Sequence, residues 1–180
     1  MPQQARRPWH LRRGAATPTL GWLVAGKRPL RVALGRSGIR ANKREGDGAT
    51  PRGRFTLVRV WWRADRSPRP ATLLPVRRIN PTTAWCEDPA DRRYNRPFRL
   101  AHAGRSSGVG DRLWRDDALY DLVIELDHNV RPRIAGRGSA VFIHVAREGL
   151  RPTAGCVALP ASELRRLIAR AGPATRIIIH

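Results

Sequence analysis

Apolar residues in this chain come in short runs bounded by Gly, Pro and Arg, and most of these runs have the length and composition of strands. Residues 21–26 and 30–35 flank Lys27-Arg28-Pro29 and predict a β-hairpin. The run from Phe55 to Trp61 is β-branched and aromatic, and follows the turn-rich segment 46–53. The strongest strand signals are residues 119–126 and 140–145, and residues 175–180 predict a last strand. Only the window 162–171 has a helical period: Leu164, Leu167, Ile168 and Ala171 share one face, and Gly172-Pro173 supplies the stop. The stretch 62–118 is rich in Pro, Arg and Asp with little periodicity, which predicts long ordered loops. No repeat is visible, and strands do not alternate with helices. The pattern predicts a mainly β fold, a mixed sandwich or barrel-like sheet, with one C-terminal helix and long ordered loops.

At 180 residues the chain is long enough to bury one core without metal or disulfide staples. Residues 1–18 are basic and Pro-containing, and predict a flexible segment ahead of a single domain at 19–180. The formal net charge is +21, nearly all of it arginine, since Lys27 and Lys43 are the only lysines. Such a charge draws the protein to polyanions, or else reflects a GC-rich genome that writes Arg for Lys; it says nothing about fold. The two cysteines, Cys86 and Cys156, lie far apart, and no CxxC spacing predicts a structural zinc site. No metal or cofactor is expected. No run reaches the ~20 apolar residues of a membrane span, and the basic start is not followed by the apolar stretch of a secretion signal.

The most informative segment is Thr153-Ala154-Gly155-Cys156, with His144 upstream at the end of an apolar run. A thiol is a nucleophile as the thiolate, and a nearby His is the usual means of making one. A Gly before the thiol lets the backbone turn so that successive N–H groups, those of Gly155 and Cys156, can face a developing oxyanion. The reading is acyl transfer with Cys156 as nucleophile and His144 as base, whose second ring nitrogen needs an acceptor to hold it. Cys86 is expected to be a buried structural thiol.

His144, the Thr-x-Gly-Cys that follows and the upstream Thr50-Pro51-Arg52-Gly53-Arg54-Phe55 together resemble the L,D-transpeptidase (YkuD-like) catalytic domain over about residues 20–180. The resemblance implies a β-sandwich-like fold and attack on peptidoglycan stem peptides at a bond between an L-centre and a D-residue. A thioester then passes the acyl group to an amine. It also implies a backbone carbonyl as partner of the second His144 nitrogen. This chain departs from the family pattern at two places. Ala154 stands where most members have His and Ala158 where most have Arg, and the loop from His144 to Thr153 is short. The nucleophile and base carry over; the crosslink type, 3–3 or 1–3, stays open.

Arg147 and Arg151 could supply the missing cation for a substrate carboxylate. Thr153 either contacts substrate or caps the turn by local hydrogen bonds. Arg112, Trp114, Arg115, Asp116 and Tyr120 form a cluster that can bind peptide carboxylates and amines, or a Trp packed on the sheet beneath a stacked arginine. Of the remaining histidines, only His102 is a candidate pocket residue. Two rivals stand beside transfer: a cysteine hydrolase of the same peptides, and a basic nucleic-acid-binding module. The module lacks a recognition helix, an RNA-binding aromatic motif or a zinc knuckle, and leaves the Gly-Cys turn unexplained. The expected partners are stem peptides and anionic cell-wall polymers, with no specific nucleic acid. The expected state is a monomer and the expected location, from function alone, is the periplasm.

Overall fold

A computed structural model describes residues 7–103, 108 and 110–180. In chain order the strands are β1 (Trp9–Arg13), β2 (Leu20–Val24), β3 (Pro29–Ala33), β4 (Ile39–Arg40), β5 (Thr50–Pro51), β6 (Gly53–Trp62), β7 (Val76–Arg78), β8 (Thr83–Cys86), β9 (Pro97–Arg99), β10 (Gly110–Arg112), β11 (Leu122–Leu126), β12 (Phe142–Val145) and β13 (Val157–Leu159). Helix α1 (Ala161–Arg170) and strand β14 (Arg176–Ile179) complete the chain. The predicted class holds: the protein is mainly β, with a mixed barrel-like sheet and one α-helix among the described residues.

The main sheet runs β11-β12-β13-β3-β2-β1-β14-β6-β7, and a further pairing of β11 with β6 closes it. Closure depends on the length of β6. Its first residues pair with β14, its later residues pair with β11, and β7 takes the side that β14 leaves. Closing the ring leaves only the short β7 as an edge of this sheet, and so removes most of the exposed edge that would template aggregation. Alternate residues point inward, so Leu11, Leu23, Val32, Ile143, Val157 and Ile177 fill the interior. Helix α1 lays Leu164, Leu167 and Ile168 into that core, against β11 and β12.

Two expectations are corrected. Residues 9–13 lie in the segment expected to be flexible, yet they form β1, because Trp9 and Leu11 alternate with polar residues and seal the barrel between β2 and β14. The stretch 62–118 is not loop alone. It holds β7, and β8, β9 and β10 build a separate three-stranded sheet in the order β10-β8-β9. These strands are too short for periodicity to show, but Thr83–Cys86 is buried on both faces. The small sheet covers the outside of the barrel. Trp85 meets Phe142 edge-on at 5.0 Å and Trp61 at 6.5 Å, and Ile79, Leu113 and Val123 pack with them.

The barrel core depends on the helix face, since each fully buried Leu or Ile contributes about 1.5–3 kcal/mol. Leu167→Ala should therefore cost about 2–5 kcal/mol, read as a lower urea midpoint with unchanged slope.

Candidate active site

Parallel pairing of β12 with β13 sets His144 opposite Ala158 and Ile143 opposite Val157. Ile143 and Val157 belong to the barrel core, so His144 and Ala158 face outward. Cys156, two residues before Ala158, falls on that same outward face and packs with Phe142, Trp85 and Tyr120. The proposed nucleophile and base are thus diagonal neighbours across one strand pair. They share a cavity of about 490 Å³, also lined by Arg36, Asp111, Arg115, Leu119, Arg147 and Arg151. A larger depression of about 860 Å³ lies elsewhere, between β1, the β2–β3 turn and the end of α1, and holds no nucleophile.

The turn into Cys156 is fastened from several sides. Gly35 bridges to Thr153; the Thr153 N–H donates to the Leu34 carbonyl (2.9 Å) and the Arg36 N–H to the Thr153 carbonyl (2.9 Å). Thr153 Oγ1 donates to the Cys156 carbonyl (2.6 Å) and accepts the Gly155 N–H (3.1 Å). Thr153 therefore caps the turn, although it also lines the cavity. The expectation that two N–H groups serve an oxyanion is corrected: that of Gly155 is committed to Thr153. The Cys156 N–H has no partner among the described residues and remains available. Gly155 sits at φ +143, and a Cβ there would lie 2.8 Å from the Ala49 carbonyl oxygen. Only Gly satisfies both the dihedral and the close approach.

The Thr50-Pro51 segment explains its place beside the cysteine turn. Thr50 is fully buried, accepts the Gly35 N–H through Oγ1 (2.9 Å), and reaches the Cys156 carbonyl at 3.5 Å. Beneath it Lys43, buried, holds Asp47 at 2.5 Å, and Asp47 in turn accepts the N–H groups of Arg44 and Ala49. The network fixes the Ala49 carbonyl against which Gly155 packs.

Cys156 and His144 are both buried and both neutral at rest. The thiol donates to the Ala140 carbonyl (3.2 Å) and accepts the Phe142 N–H (3.4 Å) rather than bonding to the imidazole. Burial pushes the Cys156 pKa up to about 12, against the help of the Phe142 N–H, and the Glu87 and Asp111 carboxylates add to the rise. Burial lowers the His144 pKa to about 4, with Arg115 and Arg147 contributing. His144 Nδ1 lies 2.8 Å from the Val145 carbonyl, which can only accept. Nδ1 therefore carries the proton and Nε2 keeps its lone pair, the tautomer of a general base. The Tyr120 ring meets the imidazole edge-on at 5.3 Å and is itself held by a hydroxyl bond to Asp111 (3.2 Å).

Of the residues singled out from sequence, Arg115, Tyr120, Arg147, Arg151 and Thr153 join Cys156 and His144 at the cavity. Four do not, and of these Asp116 is exposed and lines the neighbouring depression. Trp114 lies beneath the Arg63 guanidinium at 3.5 Å, the stacked alternative, because Arg63 is buried and needs a partner for its flat face. Arg112 belongs to β10 and lines a neighbouring shallow depression with Trp114. His102 is exposed and outside the cavity. Sequence reasoning missed Arg36 and Asp111. Arg36 carries no motif of its own and arrives through its backbone bond to Thr153; Asp111 arrives with β10, a strand that the sequence pattern does not reveal. Cys86 is fully buried and free, with burial raising its pKa. Among the described residues, no group of three or more His, Cys, Asp or Glu could hold a metal ion, and no helix is long and apolar enough to cross a membrane.

The family model of the L,D-transpeptidase catalytic domain (YkuD) matches residues 15–179, nearly the whole chain. A search of curated proteins finds no match.

Gly155→Ala places a methyl group against the Ala49 carbonyl at a dihedral that alanine avoids. It should destabilise the protein by roughly 1–3 kcal/mol from backbone strain alone, measured by urea unfolding, and reduce turnover further by displacing the Cys156 N–H.

Proposed function

The chain belongs to the L,D-transpeptidase catalytic-domain family, and on that premise we propose that it is a cysteine-dependent L,D-transpeptidase of peptidoglycan stem peptides. The observation that carries this reading is the shared outward face of β12 and β13, where a buried thiol, a neutral imidazole of fixed tautomer and one N–H without a partner among the described residues meet in a single cavity.

In this mechanism the scissile carbonyl enters the cavity and Cys156 transfers its proton to His144 Nε2 as the sulfur attacks. The resulting tetrahedral oxyanion is met by the Cys156 N–H, an interaction worth about 2.7–4 kcal/mol of barrier in comparable sites. The imidazolium then returns the proton to the departing D-residue amine, leaving a thioester. An acceptor amine attacks that thioester, loses a proton to His144, and releases the crosslinked product and the thiol. The neutral resting pair avoids stranding two charges in a dry pocket, and ionisation is confined to the moment of attack.

Ala158 pairs directly with His144 and is almost completely buried, so the position occupied by Arg in most members is here filled by a methyl group against the imidazole. Cations reach the cavity from its rim instead. Arg151 has no ion-pair partner among the described residues, Arg147 shares Asp117 with Arg115 at 4.0 Å, and Arg36 projects from the strand end fastened to Thr153. These three are the proposed carboxylate contacts of the acyl donor. The site of action is the periplasm, where such peptides lie.

Cys156→Ala should abolish product formation while the melting temperature stays near that of the wild type, because a methyl group replaces a thiol of similar size. Mass analysis of stem peptides after incubation separates the readings: dimers support transfer, trimmed monomers would indicate hydrolysis, and full activity in the variant would remove the cysteine mechanism.

The pH dependence follows from His144. A base with its pKa lowered to about 4 stays competent as pH falls through 6 and is lost only on protonation near 4. The acid limb of kcat/KM should therefore lie well below the ordinary histidine value of about 6.5. An acid limb at 6.5 would mean that the pocket is wetter than its burial implies.

A further inference from the structure

The registers of five neighbouring strands put one set of side chains on the outside of the barrel, away from the three-stranded sheet. Trp22 of β2 pairs with Arg31 of β3 and Arg12 of β1, and Val24 pairs with Pro29 and His10. His10 pairs in turn with Ile178 of β14, and Ile178 with Arg54 of β6. Paired residues share a face, and the alternate residues, such as Leu11, Leu23, Val32 and Ile177, are barrel core. At one end of this face His180 stacks on His10 at 5.3 Å, beside the charges of Arg12 and Arg52.

Three properties distinguish this face. None of its named positions holds Asp or Glu, and Arg12, Arg31, Arg52 and Arg54 take part in no ion pair among the described residues. Elsewhere some arginines, such as Arg63, Arg66, Arg93, Arg115 and Arg166, are matched to a carboxylate, and others, such as Arg69, Arg77 and Arg92, take part in no ion pair among the described residues, so it is the combination with the next two properties that marks this face. Second, Trp22 and Val24 are 44% and 43% exposed, and beyond His10 the half-buried Ile178 adds a further apolar position among the cations. The Arg31 guanidinium stands 5.9 Å from the Trp22 ring. Third, the face runs into the Cys156 cavity. Ala33 lies two residues along β3 from Arg31 on the same side, and it pairs with Ala158, which lines that cavity. Strand geometry puts Arg31 on the order of 8 Å from Ala158 and makes the face about 19 Å wide.

We propose that this face binds the glycan strand of peptidoglycan together with the carboxylates of the stem peptides along it, and delivers one attached peptide to the cavity; the proposal rests on the peptidoglycan reading above. The face is long enough for an extended polymer, and the depression lined by His10 and Val24 opens onto it. Unpaired guanidinium forks take carboxylates, and Trp22, Val24 and Ile178 offer apolar surface to the C–H faces of sugar rings. A single-stranded nucleic acid would favour successive aromatic platforms; this face holds one exposed tryptophan and alternates aliphatic residues with its cations.

The test compares wild type with three variants of the full chain. One is Arg12→Gln/Arg31→Gln/Arg54→Gln and another is Trp22→Ala. The third, Arg69→Gln/Arg77→Gln/Arg92→Gln, removes equal charge from exposed positions elsewhere. Each is measured for co-sedimentation with purified sacculi at ~0.15 M salt, for filter binding to single-stranded DNA, for turnover of a soluble stem peptide, and for thermal unfolding. The triple face variant should lose about 10-fold or more in sacculus affinity and Trp22→Ala about 3-fold, with the control variant close to wild type. Melting temperature and soluble-peptide turnover should be unchanged in all three. Equal losses in the face and control variants would reduce the effect to net charge and overturn the proposal. So would unchanged binding in the face variants, or DNA binding tighter than sacculus binding and lost in those variants. Cys156→Ala separates this proposal from the catalytic one: face-dependent sacculus binding without any cysteine-dependent turnover would sink the mechanism and leave the face standing.

Discussion

The parallel register of β12 with β13 is the constraint on which the candidate site depends. Strand side chains alternate, so a slip of one residue would send Cys156 into the barrel interior and bring Val157 out beside His144. Two things hold the register. Ile143, Val157 and Leu159 are buried in the barrel core, where any slip would exchange them for His144 and Ala158. At the other side, β13 is anchored to β3 through Ala158 and Ala33, and the Thr153 bridge to Gly35 extends that pairing up to the turn. The chemistry of the site is thus a by-product of where the apolar residues must go.

The same burial sets the electrostatics. A protein with net charge +21 would be expected to stabilise a thiolate, yet Cys156 sits against the small sheet with Glu87 and Asp111 as the nearer charges. Glu87, itself pushed up to about 7 by burial and by the neighbouring Asp111 and Glu45, shows how dry and acidic this side of the cavity is. The arginines act from the rim, where Asp111 and Asp117 already share Arg115. Burial, more than the sign of the net charge, therefore decides the state of the sulfur. Long-range attraction operates over the outer surface, and desolvation governs the nucleophile.

The barrel also divides its outward surface into two territories. One is covered by β8, β9 and β10, and there Trp61, Trp85 and Phe142 make an aromatic wall behind the thiol. The other, across β3, β2, β1 and β14, is uncovered and basic. The boundary runs along the Ala158–Ala33 pair, where both side chains are too small to separate the two.

Much of this was legible in the residues. The hairpin at β2–β3, the strands β6, β11, β12 and β14, and helix α1 follow from runs and periods that each element must satisfy locally, and Gly155-Cys156 with His144 stood out because few residue types can do that chemistry. Strand β1 was hidden by its charge: Arg12 and Arg13 are exposed at its end, and only Trp9 and Leu11 report the sheet. The strands β8 and β10 were too short to show a period, and with them went Asp111 and the wall behind Cys156. Trp114 and Arg112 were adjacent in sequence to the site but do not line its cavity, because Trp114 lies beneath Arg63 and Arg112 lines the neighbouring depression. Arg36 became a site residue only through a backbone bond to Thr153, a contact between segments more than a hundred residues apart. Local pattern determines what each segment is and which residues can react. Which of them meet, and whether a thiol surrounded by arginines is charged or neutral, is decided by long-range pairing and the water it excludes.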